Sequence, residues 1–363
     1  MKTLHARRAA VFLLLYAIAV AYGSLYPLVF HYSPNAAPLR WLPLSGRSFL
    51  LDFLLNIVFY VPLGAAAFLA FDGGAPSLFF AIATGFMLSF GIEEAQRYIP
   101  SRAADYNDLV ANSLGTALGA IAAYVWQRAH RRWIPPALVR RFAPQGLVLA
   151  SLWLAWNGFL LLQLVGRRPL PSGDSPLGWM PAVNEVLGVA IIAIALRPSA
   201  SPFSNPAQNA PSAAGLLQPD HVRRAGRFAL KNTLAPVLLL WLAVQELIPF
   251  QWGVRQDFSW LPFEGLFYVR PEIYYPILFG KLFFYTVVVW AMRFRGAAWF
   301  WSISIPLAML AGGEWAQTYI PDRTPETTDL VLAAGGAFLL WMAAPGLSQT
   351  QRTRYTACSE VKG

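Results

Sequence analysis

The chain is a succession of long apolar runs separated by short polar or basic segments. Crossing about 30 Å of hydrocarbon takes roughly 20 apolar residues in a helix. Runs approaching that length cover residues 11–30, 49–71, 78–99, 107–126, 147–165, 181–196, 233–250, 273–292, 297–320 and 328–345. They predict an all-α fold, a polytopic transmembrane bundle of about ten spans, the sixth being short. Helical periodicity is weak within them, as expected where nearly the whole helix circumference is apolar. One stretch breaks the pattern. Residues 197–232 read RPSASPFSNPAQNAPSAAGLLQPD and then turn basic, with too little apolar surface to offset the entropy of ordering. A disordered cytoplasmic linker is expected there, and a cytoplasmic tail over 347–363.

Composition agrees with a membrane setting. Of 363 residues, 56% are hydrophobic and 13% charged, with a mean hydropathy of +0.46. Soluble domains are about 25% charged, so a cytosolic globular enzyme is excluded. The net charge of +10 would suit nucleic acid if it were clustered, but it is distributed by topology. With the N-terminus inside, the inner segments carry Lys2, Arg7 and Arg8, then Arg128 to Arg141, Arg197 to Lys231, Arg293 and Arg295, and finally Arg352, Arg354 and Lys362. These segments hold 18 of the 28 basic residues, and basic loops stay in the cytoplasm. Both termini are expected inside, with anionic headgroups as the partner of this charge and no nucleic acid. The first span has the basic start and small residues (Ala17, Ala19, Ala21) of a signal peptide. Its length and its outer Leu25-Tyr26-Pro27, which recurs as Leu247-Ile248-Pro249, identify a retained helix instead.

Cys358 is the one cysteine, and His5, His31, His130 and His221 lie far apart in polar segments. Neither a disulfide framework nor a metal site is expected, and no cofactor.

The chain repeats itself. Residues 93–115 read EEAQRYIPSRAADYNDLVANSLG and residues 314–336 read EWAQTYIPDRTPETTDLVLAAGG. At a constant offset, Glu93 matches Glu314, Gln96 matches Gln317, Arg102 matches Arg323, Asp108 matches Asp329 and Gly115 matches Gly336. Trp41-Leu42-Pro43 returns as Trp260-Leu261-Pro262. The expected plan is a four-span repeat (1–127), two linking helices (128–196), the linker (197–232), and a second four-span repeat (233–346). An even number of spans between the copies gives both the same orientation, as in parallel-repeat membrane proteins.

Each copy places Glu and Gln three residues apart, on one helix face, near the outer end of its third span. A Pro ends that span, an Arg follows in a tight loop, and an Asp opens the next helix. Asp108, Asn112, Gly115 and Gly119 share a face that is polar outside and small inside, suited to close helix contact. The second span adds Asp52 and Asn56, one turn apart, before Pro62-Leu63-Gly64. Glu93 lies about 9 Å below the end of its span at 1.5 Å per residue; an ionised carboxylate there needs a partner, and Arg97 and Arg102 are near in sequence. A cluster of Asp52, Asn56, Glu93, Gln96, Arg102, Asp108 and Asn112 is expected near the outer leaflet.

Through Asp52-x3-Asn56-x5-Pro62-Leu63-Gly64 and Glu93-x2-Gln96-x5-Arg102-x5-Asp108-x3-Asn112-x2-Gly115 the chain resembles the VanZ-like family, membrane proteins named for a teicoplanin-resistance determinant. The resemblance covers residues 11–126, and 233–345 more loosely. It implies a four-helix membrane domain, an envelope setting and glycopeptide tolerance, but no defined reaction. The second copy departs from the pattern: Lys281 stands for Asn56, Ala333 for Asn112, and Asp52 has no equivalent. Lys281 lies in an apolar run and is expected to pair with Glu314 or Asp329. Repeat one is therefore expected to hold the working site, with repeat two structural.

Three functions suit such a cluster. It is either the pocket of a protein binding an envelope lipid, lipid-linked precursor or amphiphilic antibiotic, the centre of a membrane enzyme, or part of a transport path. An enzyme would use Glu93 or Asp108 as general base and Arg102 as a phosphate clamp. The cluster lies towards one surface and shows no His, Cys or Ser in sequence, which favours binding over catalysis and transport. A purely architectural hydrogen-bond network is the competing reading of the same residues.

Overall fold

The computed structural model describes residues 2–31, 39–41, 47–132, 144–165, 180–196, 219–248, 250–267, 271–321 and 323–344. Among these the chain is helical, with α1 (Lys2–Leu25), α2 (Arg47–Ala70), α3 (Ala75–Gln96), α4 (Tyr106–Arg132), α5 (Pro144–Val165), α6 (Met180–Ala195), α7 (Pro219–Leu247), α8 (Glu264–Phe267), α9 (Pro271–Arg295), α10 (Trp299–Gln317) and α11 (Thr328–Ala343). Five stretches are long and apolar enough to cross a membrane: Ala6–Leu25, Asp52–Ala70, Ala75–Gln96, Tyr106–Ala129 and Tyr274–Arg295. Asn184–Ala195 and Thr328–Ala343 are shorter apolar helices. The molecule is an all-α membrane protein.

The chain divides into two compact units, Met1–Pro136 and Ala137–Gly363. In the first, α2 lies against α4 at backbone contact. A Cβ on Gly64 would overlap the Thr116 carbonyl, and one on Gly115 or Gly119 would overlap the carbonyls of Ile57 or Val61. The small residues read from sequence thus mark the α2–α4 seam. Leu63, Ala67, Phe68, Ala81 and Ala120 are buried in this unit. Its turns follow local chemistry. Ser77 Oγ accepts from Gly74 N–H at 3.1 Å and donates to Phe71 O at the start of α3. Asp105 caps α4, its Oδ1 accepting from Asn107 N–H at 2.9 Å.

In the second unit α9 is the central helix, with Phe283 to Met292 all buried. Leu149 and Leu152 of α5, Ile191 and Ala195 of α6, Leu238 and Leu242 of α7, Leu310 of α10 and Leu340 of α11 share its core. The two linking helices are therefore part of the second unit's core.

One expectation is corrected. Of the linker expected over 197–232, residues 219–232 form the opening turns of α7. Pro219 suits the first helical position, and the Arg, Ala, Leu and Lys residues that follow are good helix formers. The basic stretch extends the apolar helix backwards. Residues 197–218 and the tail expected over 347–363 lie outside the described residues.

Candidate functional site

The junction between the third and fourth helices of each repeat is built the same way. Glu93, 2% exposed, accepts a hydrogen bond from the Asp105 backbone N–H at 2.9 Å; Glu314, equally buried, accepts one from Glu326 N–H at 2.9 Å. Each carboxylate thus sits at the amino end of the following helix, where the helix dipole favours negative charge. Asp105 and Glu326 were not singled out in sequence, although both are acidic at the repeat offset. Arg97 pairs with Glu94 at 2.5 Å, which corrects the expectation that it neutralises Glu93.

The arginines in the loops have a definite task. Arg102 donates from Nε to Tyr26 O at 2.9 Å and from Nη2 to Gly23 O at 3.2 Å. Arg323 donates to Ile248 O at 3.1 and 2.6 Å and to Gln245 O at 3.1 Å. The fork of each guanidinium closes the carbonyl end of its repeat's first helix. These donors go to backbone carbonyls, whereas a phosphate clamp was expected of Arg102. Burial pulls the Arg102 guanidinium below its ordinary pKa, but an arginine remains charged.

The polar side chains between α2, α3 and α4 come together. Asn56 Nδ2 donates to Asp108 Oδ1 at 2.7 Å, and Asn112 Nδ2 to Ser89 Oγ at 2.9 Å. Gln96 Nε2 donates to Ser24 O at 2.9 Å, tying α3 to α1. Glu93 feels the charge of Asp108, and the exposed Asp52 acts on Asp108. Of the seven expected residues, Asn56 and Asp108 are joined directly, Asn112 joins Ser89 one turn from Glu93, and Gln96 and Arg102 turn to α1 carbonyls. Ser89 and Tyr60 are additions. Ser89 lies one turn before Glu93, so the absence of a serine from the sequence cluster is corrected: the helical repeat brings it in from four residues back.

The second repeat carries more charge than its sequence motif suggested. Lys281 Nζ donates to Asp329 Oδ1 at 2.7 Å and Oδ2 at 2.9 Å, which identifies it as the geometric counterpart of Asn56. Glu246 was missed in sequence. It is buried, accepts from Gln317 Nε2 at 2.6 Å and from the Tyr285 hydroxyl at 3.3 Å, and occupies the place of Ser24. Its signal was its position directly before Leu247-Ile248-Pro249, where Ser24 precedes Leu25-Tyr26-Pro27. Glu246, Glu314 and Asp329 each offer an oxygen within 4.8 Å of the others. Such a set has the oxygen donors a hard cation uses, and the Lys281 ammonium already supplies a positive charge at Asp329.

A membrane-embedded helical bundle with a buried polar site beneath one end is the class these features define. Within it, residues 12–127 match the VanZ/LLP1 family model, so the first unit carries a VanZ-like region. No curated protein and no solved structure matches the chain.

Proposed function

We propose that the protein is a binding component of the bacterial cytoplasmic membrane whose first repeat presents an outward-facing polar pocket to an envelope amphiphile. A membrane lipid, a lipid-linked envelope precursor or a glycopeptide-type antibiotic is the class of ligand. The VanZ-like match over 12–127 supports the envelope setting and the link to glycopeptide tolerance. The distribution of lysine and arginine supports cytoplasmic termini and an outer position for residues 100–106.

One observation carries the reading. Among the described residues, repeat one gathers two carboxylates, Glu93 and Asp108, with neutral hydrogen-bond partners, and Asp108 is only half-buried. In repeat two the matching Asp329 is 1% exposed and ion-paired. An unpaired acid that stays partly accessible at a membrane surface is suited to a ligand, whereas a sealed ion pair is suited to packing.

The test is native mass spectrometry of the full chain released from membranes in mild detergent. A bound amphiphile is expected on the wild type and absent from Asp108→Asn. A wild type that retains nothing contradicts the proposal.

A further inference from the structure

The second repeat spends its own side chains where the first leaves polar atoms unspent. In repeat two, Glu246 takes both the Tyr285 hydroxyl and the Gln317 amide, and Lys281 takes both oxygens of Asp329. An acid and an ammonium of the chain itself complete that cluster. In repeat one the corresponding positions hold Ser24 and Asn56, both neutral and short. Asn56 reaches a single oxygen of Asp108, and Ser24 offers Gln96 only its backbone carbonyl.

The consequence is visible in the surrounding atoms. Gln96 Oε1 and Asn112 Oδ1 are buried with no hydrogen-bond partner, in residues 7% and 5% exposed. A buried polar atom without a partner is costly, so these two oxygens beside the carboxylates call for an occupant. Their placement ties them to the carboxylates. Gln96 lies one turn beyond Glu93 and Asn112 one turn beyond Asp108. The Asn112 bond to Ser89 holds the α4 side chain against the Glu93 face of α3.

We infer that the repeat-one pocket takes a headgroup carrying a primary ammonium, standing in for the Lys281 ammonium that meets Asp329 in repeat two. The three N–H bonds of the ammonium serve Asp108, Glu93 and the amide oxygen of Asn112. A primary ammonium has three donors, whereas a quaternary one has none and a glycerol phosphate carries no cation. This deepens the proposed function and rests on the same pocket. The chemistry is shared by phosphatidylethanolamine and by free phosphoethanolamine.

Full-length protein in nanodiscs is the test, with retained lipid read by native mass spectrometry and stability by thermal unfolding. Selective retention of phosphatidylethanolamine over phosphatidylglycerol and phosphatidylcholine is expected. The double variant Ser24→Glu/Asn56→Lys should lower that retention at least about tenfold, as charged partners in a buried site typically do, with its thermal midpoint kept or raised. Retention of phosphatidylglycerol or phosphatidylcholine to the same extent overturns the ammonium while leaving amphiphile binding intact. Stabilisation of phosphatidylcholine nanodisc samples by phosphoethanolamine, without lipid selectivity, supports the headgroup chemistry and assigns it to a soluble source, which contradicts the amphiphile reading. No response to either probe overturns both. The lipid selectivity of the wild type decides the matter even if the double variant fails to fold.

Discussion

Lys281 reaches across from α9 to grip both oxygens of Asp329 on α11, at 2.7 and 2.9 Å, while its side chain stays 42% exposed and that of Asp329 only 1%. The lysine snorkels outward and its ammonium seals the acid beneath it. Asn56, at the same place in the first repeat, covers its aspartate by one neutral hydrogen bond.

Removing the lysine should therefore harm the second unit. Lys281→Met leaves Asp329 and Glu246 buried without their cation, and breaking a buried pair costs about 3–5 kcal/mol. The partial exposure of Lys281 puts the effect at the lower end. Adding Asp329→Leu should recover most of the loss in a double-mutant cycle followed by chemical unfolding. Equal or greater loss in the double variant would contradict the pairing.

Glu93→Gln and Glu314→Gln both keep an oxygen for the backbone N–H that each acid now meets. Both variants should fold. Ligand retention should fall with Glu93→Gln and survive Glu314→Gln. Equal losses from the two would remove the asymmetry between repeats.

Arg102→Lys and Arg323→Lys keep the charge and lose the planar fork on the first-helix carbonyls. Hydrogen bonds from charged groups contribute about 1.5–3 kcal/mol each. A fall in thermal midpoint is expected from each substitution, with headgroup selectivity unchanged. A specific loss of phosphate-bearing ligand in Arg102→Lys, at unchanged stability, would restore the clamp.

The α2–α4 seam is tight enough to discriminate glycines. Gly119→Val drives a side chain into the Val61 carbonyl and should cost about 1–3 kcal/mol or more. Gly91→Ala, with no neighbour within 4 Å of its new methyl, should be neutral or gain up to about 1 kcal/mol from helix propensity. Thermal unfolding of the pair in one detergent separates the two.

Sequence reading reached the helices and the repeat because both are written in local pattern. Apolar run length predicts spans, and identical residues at one offset, from Glu93 with Glu314 to Gly115 with Gly336, expose the duplication. The pairing of Lys281 was half legible: an ammonium in an apolar run needs an acid, but choosing Asp329 over Glu314 takes the separation of helices. The partners of the arginines were not legible, because Gly23 O and Tyr26 O or Gln245 O and Ile248 O are backbone carbonyls, which no residue type advertises. Glu246 escaped for a related reason. Its counterpart is Ser24, so identity between the copies lapses where their chemistry differs most. The start of α7 was hidden by its polar composition, which resembles a linker until helix propagation is considered.

An even number of spans between the repeats predicts that both Arg-bearing loops meet the outside. With Cys358 replaced by Ser, single cysteines at Ser101 and Thr324, both exposed, can be labelled in intact cells by a membrane-impermeant maleimide. Labelling of both positions without permeabilisation is predicted. Labelling of one from outside and the other only after the membrane is opened would contradict it.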